Sequence, residues 1–204
     1  MITSRPFGTL TDGTPVTCYR LSAAVGAYVD ILDYGATVQS IAVPNRQGAL
    51  TDVILGYPSA ADYEAGSFYF GATVGRHANR IGGGRFTLNG VTYTLERNSG
   101  PNHSHGGFCG YHQRMFEAEI RGDTLDMHLF SPDGDQGYPG NLRLTVRYRF
   151  ADDLRLTIEI LAVCDQDTVV NLTNHCYFDL SGGQAPMEQL LQICAEQYTE
   201  NDEN

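Results

Sequence analysis

Three short stretches of the chain concentrate side chains that move or share protons. Residues 171–180 read NLTNHCYFDL and carry His175; residues 98–107 read NSGPNHSHGG and carry His103 and His105; residues 75–84 read GRHANRIGGG and carry Arg76, Asn79 and Arg80. Imidazole gives or takes a proton near neutrality. Arginine is a permanent donor fork, and amides offer donors and acceptors in fixed directions. Together these groups suit a neutral polyol, whose hydroxyls need both kinds of partner. A lone histidine in a strand is more often a satisfied core residue, so the case for His175 rests on its company. The expectation is that the three stretches meet in one groove. Phe68, Tyr69, Tyr111, Tyr138 and Phe178 could stack on the apolar faces of a bound ring, although core packing is the commoner use of any one aromatic taken singly.

Other chemistries fit less well. His103-x-His105 with His112 has the spacing of some metal-binding β-barrels, with His175 or Cys109 as further donors, but residues 106–111 supply no carboxylate. Asp133-x-Asp135-x-Gly137 has the wrong glycine placement for a calcium loop and lacks its closing glutamate; a tight loop with solvated acids is expected. Gly82–Gly84 is not followed by the Lys-Ser or Lys-Thr of a phosphate loop. No metal and no cofactor is assigned.

The elements that must hold these groups read as strands. Read as extended chain, residues 169–178 put Val169, Asn171, Thr173, His175 and Tyr177 on one face and Val170, Leu172, Asn174, Cys176 and Phe178 on the other. Residues 16–43 read as two or three strands, Val53–Leu55 as a short one, and 57–70 as a loop with a brief helical turn. Asn89-Gly90 is the dipeptide of a two-residue type I′ turn, pairing Leu88 with Val91 and Phe86 with Tyr93. A second hairpin turns at Gly122-Asp123. A third joins the period-2 runs 142–150 and 154–160 through Asp152, a connection that sets Arg149 opposite Arg155. Residues 187–197 satisfy helical and strand spacing alike. Many strands, short turns and hardly any helix mean an antiparallel β-sandwich.

Composition narrows the partners. A length of 204 residues with 42% hydrophobic content supports one large core, and twelve Tyr with nine Phe fit a strand-rich chain. A net charge of −11 argues against nucleic acid and anionic membrane. No apolar run approaches the ~18 residues of a spanning helix, and the start, MITSRPFGTL, lacks the build of a signal peptide. Five widely spaced cysteines without a CxxC suit reduced thiols in a cytoplasm.

GATVGRHANRI (71–81), NHSHGG (102–107), SPDGDQGYPGNL (131–142) and TNHCYFDL (173–180) resemble, in order and spacing, the aldose 1-epimerases or mutarotases. The resemblance implies the large antiparallel β-sandwich of galactose mutarotases and interconversion of the α and β anomers of galactose, glucose and similar aldoses. It implies that Arg80, with Asn79 beside it, holds sugar hydroxyls. It further implies that His105 binds near the ring and that His175 is the general acid toward the ring oxygen. His103 receives no role and is expected in a loop. Ser104 stands where the family usually has Leu, and His77 where Val is common.

In the resembling enzymes the general base is a glutamate near the C-terminus, and a sugar-binding aspartate also lies in the C-terminal part. No Asp or Glu of this chain sits in a matching motif. The expectation is therefore a single domain over 1–204, incomplete at its C-terminus, lacking the base and inactive or nearly so alone. The alternative from another class is a non-catalytic carbohydrate-binding module using the same ligands. An epimerase of phosphorylated hexoses is less well served, since Arg76, Arg80 and Arg114 are few cations for it.

Overall fold

The computed structural model describes residues 1–183 and 188–198. Its elements are β1 (Ile2–Thr9), β2 (Pro15–Ser22), β3 (Tyr28–Leu32), β4 (Thr37–Pro44), β5 (Leu50–Asp52), α1 (Ala60–Ala65), β6 (Thr73–Val74), β7 (Arg80–Ile81), β8 (Arg85–Leu88), β9 (Val91–Thr94), β10 (His103–Ser104), β11 (Glu117–Arg121), β12 (Thr124–Ser131), β13 (Leu142–Phe150), β14 (Leu156–Cys164) and β15 (Thr173–Asn174). β1 to β5 form one antiparallel sheet in sequence order, and β11 to β14 a second. The sheets share a core in which Leu21, Val29, Ile31 and Val38 join Leu125, Met127, Leu144 and Val146. This is the expected sandwich, built by alternation: along β13, Leu142, Leu144, Val146, Tyr148 and Phe150 are buried while Arg143 and Arg149 are exposed.

The turn chemistry holds where it was strongest. Leu88 pairs with Val91 and Phe86 with Tyr93, and Asn89 and Gly90 both take positive φ, as a type I′ turn requires. The hairpin at Gly122-Asp123 forms. The brief helical turn is α1, capped by Ser59, whose hydroxyl accepts from the Asp62 N–H.

Three expectations are corrected. Arg149 pairs with Thr157, not Arg155, because the Ala151 N–H reaches the Arg155 carbonyl at 3.1 Å and closes a wider turn. Arg149 is thereby free to pair with Asp123 at 2.7 Å. The short strand lies at Leu50–Asp52 rather than 53–55. There the Asp52 carboxylate takes the N–H groups of Ile41 and Ile54 and ends the ladder. Residues 189–198 form no strand or helix and leave Leu190, Leu191 and Ile193 exposed; Met187 lies outside the described residues.

Candidate active site

Two two-stranded ladders bring the three chemical stretches together. β7 pairs with β10, setting Ser104 opposite Arg80. β6 pairs with β15, setting Thr73 opposite Asn174. His175 follows that ladder with its backbone held at both ends: its N–H donates to the Ala72 carbonyl at 2.9 Å, and its carbonyl accepts from the Gly71 N–H at 3.0 Å. Of the expected strand only Thr173–Asn174 is a ladder, yet the alternation survives. Leu172 and Cys176 pack on the core, while His175 and Tyr177 line a cavity.

That cavity, of about 260 Å³, is lined by Arg80, His105 and His175, by Phe68, Tyr69 and Tyr177, and by Ser67, Asn98, Ser99 and Ser104. Among the described residues no Asp or Glu lines it. The wall is thus rich in donors and aromatic faces, which suits a ligand with neutral hydroxyls and apolar C–H patches. The Asn98 side chain braces it, donating to the Ser104 carbonyl and accepting from the Ser104 N–H at 2.8 and 2.7 Å.

His105 has its proton placed by the backbone. The Asn79 N–H donates to His105 Nδ1 at 3.1 Å, and the Asn79 carbonyl accepts from the His105 N–H at 3.2 Å. Both residues take positive φ, the strained conformation in which this reciprocal pair closes. With Nδ1 occupied as an acceptor, the ring hydrogen sits on Nε2 and the imidazole is a neutral donor. Burial, then His175 and Arg80, hold its pKa below the ordinary value. Gly106 follows with positive φ, and a Cβ there would collide with the Gly75 carbonyl, so the turn carrying His105 packs directly on the segment that leads into Arg76.

A third imidazole lies beneath the wall. Tyr69, at positive φ, sets its ring 4.4 Å from His112, 4.8 Å from His105 and 5.7 Å from His175. His112 Nδ1 is buried without a hydrogen-bond partner among the described residues. Burial, then His105 and His175, bring the pKa of His112 from 6.5 down to about 4. An unfolded chain binds a proton at this position below pH 6.5 that the folded chain refuses until about 4. Stability therefore falls as pH drops through that window, by at most about 3 kcal/mol. His112→Phe is expected to flatten the dependence, read from urea midpoints at pH 7 and 4.5; an unchanged slope would remove His112 as its source.

Several residues sit elsewhere than expected. Arg76 does not reach the cavity and is 1% exposed. Its Nη1 donates to the carbonyls of Pro139 (2.7 Å) and Gly140 (2.9 Å) and to the Thr168 hydroxyl (3.3 Å). Its Nη2 donates to the Ser131 carbonyl (3.2 Å) and hydroxyl (2.6 Å) and to the Pro132 carbonyl (3.4 Å). His103 is no loop residue but fully buried. Its Nδ1–H donates to the Glu96 carbonyl at 2.7 Å and its Nε2 accepts from the Tyr138 hydroxyl at 2.8 Å, the opposite tautomer from His105. Asn79 is exposed and outside the lining; besides its backbone pair it offers its amide oxygen to Arg80 at 3.5 Å. Tyr111 and Tyr138 are core residues, and Phe178 is not on the lining.

The acids of the 131–141 loop are organisers and not merely solvated. Asp135 accepts from Arg114 and from the Ser131 hydroxyl, both at 2.7 Å, and Asp133 accepts from the Gly140 N–H at 2.6 Å. Among the described residues no group of three His, Cys, Asp or Glu is placed to hold a metal ion; His103, His105 and His112 serve three different surroundings. Tyr177, read from the sequence only as sharing a strand face with His175, and His112, weighed there only as a metal ligand, are further functional candidates. The alternation with His175 signalled the first, and nothing local signalled that Tyr69 would bridge the second to the site.

Comparison with known proteins bears on the family and the fold. The family model described as aldose 1-epimerase matches residues 17–204. The aldose 1-epimerase of Escherichia coli (strain K12) is 40% identical over 194 residues, covering 94% of this chain and 56% of that protein. The galactose mutarotase of Mus musculus is 41% identical over 177 residues, covering 86% and 52%. Among solved structures, the GalM/aldose epimerase homologue from C. elegans superposes with a TM-score of 0.77 at 32% identity, over 80% of this chain and 50% of that one. The galactose 1-epimerase from Lactobacillus acidophilus NCFM gives 0.76 at 31%, over 87% and 53%. The chain spans about half the length of the curated relatives it matches. On sequence over most of its length and on fold, it belongs to the aldose 1-epimerase family.

Proposed function

We propose that the cavity binds an aldohexose such as galactose or glucose and takes part in interconverting its anomers. Arg80 and the Nε2–H of His105 donate to sugar hydroxyls, with Asn79 fixing His105 from behind. His175 is the general acid: it gives a proton to the ring oxygen as the C1–oxygen bond breaks and the C1 hydroxyl loses its own proton. The resulting aldehyde turns about C1–C2, and closure on its other face, with both transfers reversed, yields the other anomer. The convergence of Arg80, His105 and His175 on one cavity carries this reading.

The proton leaving the C1 hydroxyl needs a base, and no carboxylate among the described residues lines the cavity. Acid and base groups contribute about 10²–10⁴-fold each, so turnover by this chain is proposed to lie that far below a complete relative. Five free thiols suit the cytoplasm as the site of action.

Polarimetry of freshly dissolved α-galactose tests the catalytic part; a rate equal to that of a full-length relative would remove the missing-base argument. Calorimetry tests the binding part. Arg80→Met is expected to weaken galactose binding by about 10- to 100-fold, the loss of a charge-assisted hydrogen bond. Affinity unchanged in that variant would take Arg80 out of the site. Saturable binding indifferent to anomer, with no turnover even at high protein concentration, would favour a binding module.

A further inference from the structure

His175 is seated on tyrosine. The ring centroid of Tyr177 lies 5.2 Å from that of its imidazole at a tilt of 32°, and that of Tyr69 lies 5.7 Å away at 33°. The His105 ring meets it edge-on, 5.4 Å away at 84°. Two π faces at small tilt favour a cation in this position, whereas an edge-on imidazole does not. The tyrosines are themselves fixed. Tyr177 packs at right angles on Phe70, 5.0 Å away, and its carbonyl accepts from the Leu55 N–H at 2.9 Å. The Tyr69 carbonyl accepts from the Ala72 N–H at 3.0 Å, in the same turn whose Gly71 and Ala72 hold the His175 backbone. The other charged or titratable groups facing His175 are His105, Arg80 across the cavity and His112 beyond Tyr69. None of these is an anion.

We infer that Tyr69 and Tyr177 are positioning residues for His175. Their faces hold its imidazole in one orientation and stabilise it when it carries a proton, in a wall where the described residues offer no carboxylate to do so. The inference deepens the proposed role of His175 as acid, but its test needs no turnover.

The test is the rate at which diethyl pyrocarbonate, which attacks uncharged imidazole, acylates each histidine, followed by mass spectrometry in the whole chain at pH 6. His128, on the other sheet and bonded to Thr145, is the internal reference. Tyr177→Leu is expected to raise the His175 rate about 2- to 5-fold, as loss of one partly exposed cation–π contact implies. Tyr177→Phe, which keeps the ring, is expected to restore the original rate. His105, which touches Tyr69, should not become faster in either variant. An unchanged His175 rate in Tyr177→Leu, or a faster one in Tyr177→Phe as well, overturns the inference. Galactose added to the original chain separates the two claims: failure to protect His105 and His175 sinks the sugar reading and leaves the tyrosine seat standing.

Discussion

Replacing His175 with glutamine is expected to lower kcat for galactose mutarotation by the chain about 10²–10⁴-fold. Sugar affinity should change by no more than a few-fold. Glutamine fills similar space and still hydrogen-bonds, but it has no proton to deliver to a ring oxygen. Arg80 and the Nε2–H of His105 remain on the cavity wall and keep the hydroxyls in place. The signature is a fall in kcat with KM nearly constant, which marks a group acting in the transition state. A variant that loses affinity while keeping kcat would make His175 a ligand to the sugar and not its acid.

Arg76→Met is expected to lower unfolding free energy by on the order of 4 kcal/mol, since hydrogen bonds from a charged donor are worth about 1.5–3 kcal/mol each and buried acceptors left bare add to the loss. The guanidinium gathers four carbonyls and two hydroxyls from residues 131, 132, 139, 140 and 168. The loop it ties down in turn holds the histidine segment. Gln136 accepts from the Cys109 N–H, Arg114 reaches from Asp135 to the Cys109 carbonyl, and Tyr138 holds His103. The loss should therefore also appear as weaker galactose binding in the fraction still folded. Urea denaturation with galactose titration measures both. A variant within about 1 kcal/mol of the original chain would show that the loop is held by other contacts.

What could be read from the chain follows how far each signal reaches. Period-2 runs such as 142–150 specify a buried face by themselves, and Asn89-Gly90 specifies its turn because both positions need positive φ. His103 and His105 show the limit. Strict alternation places them on one face, yet His105 has φ 53°, which ends the strand between them and turns one ring to Tyr138 and the other to the cavity. Nothing in the type or spacing of His105 announces that backbone.

Arg76 and Arg80 show a second limit. They lie four residues apart in one motif, and residue type favours exposure for both. Only the folded loop 131–141, more than 50 residues on, decides that Arg76 is buried while Arg80 stays in the cavity. The pairing of Arg149 failed for a related reason: the backbone bond closing the turn at 151–155 has no side-chain signature. Tyr69 and His112 are brought together by a positive-φ residue and a short 3₁₀ turn at 111–113. Each is local geometry that a pattern of apolar residues does not encode.

The most direct measurement is galactose titrated into the chain carrying isotope-labelled histidine, with the ring signals followed by NMR. Gripping of a sugar by Arg80, His105 and His175 in one cavity predicts that the His105 and His175 signals move together along one saturable curve. His128 should stay still, and Arg80→Met should shift the whole curve to higher sugar concentration. Signals of His105 and His175 that ignore galactose, or that move on separate curves, would contradict a common site.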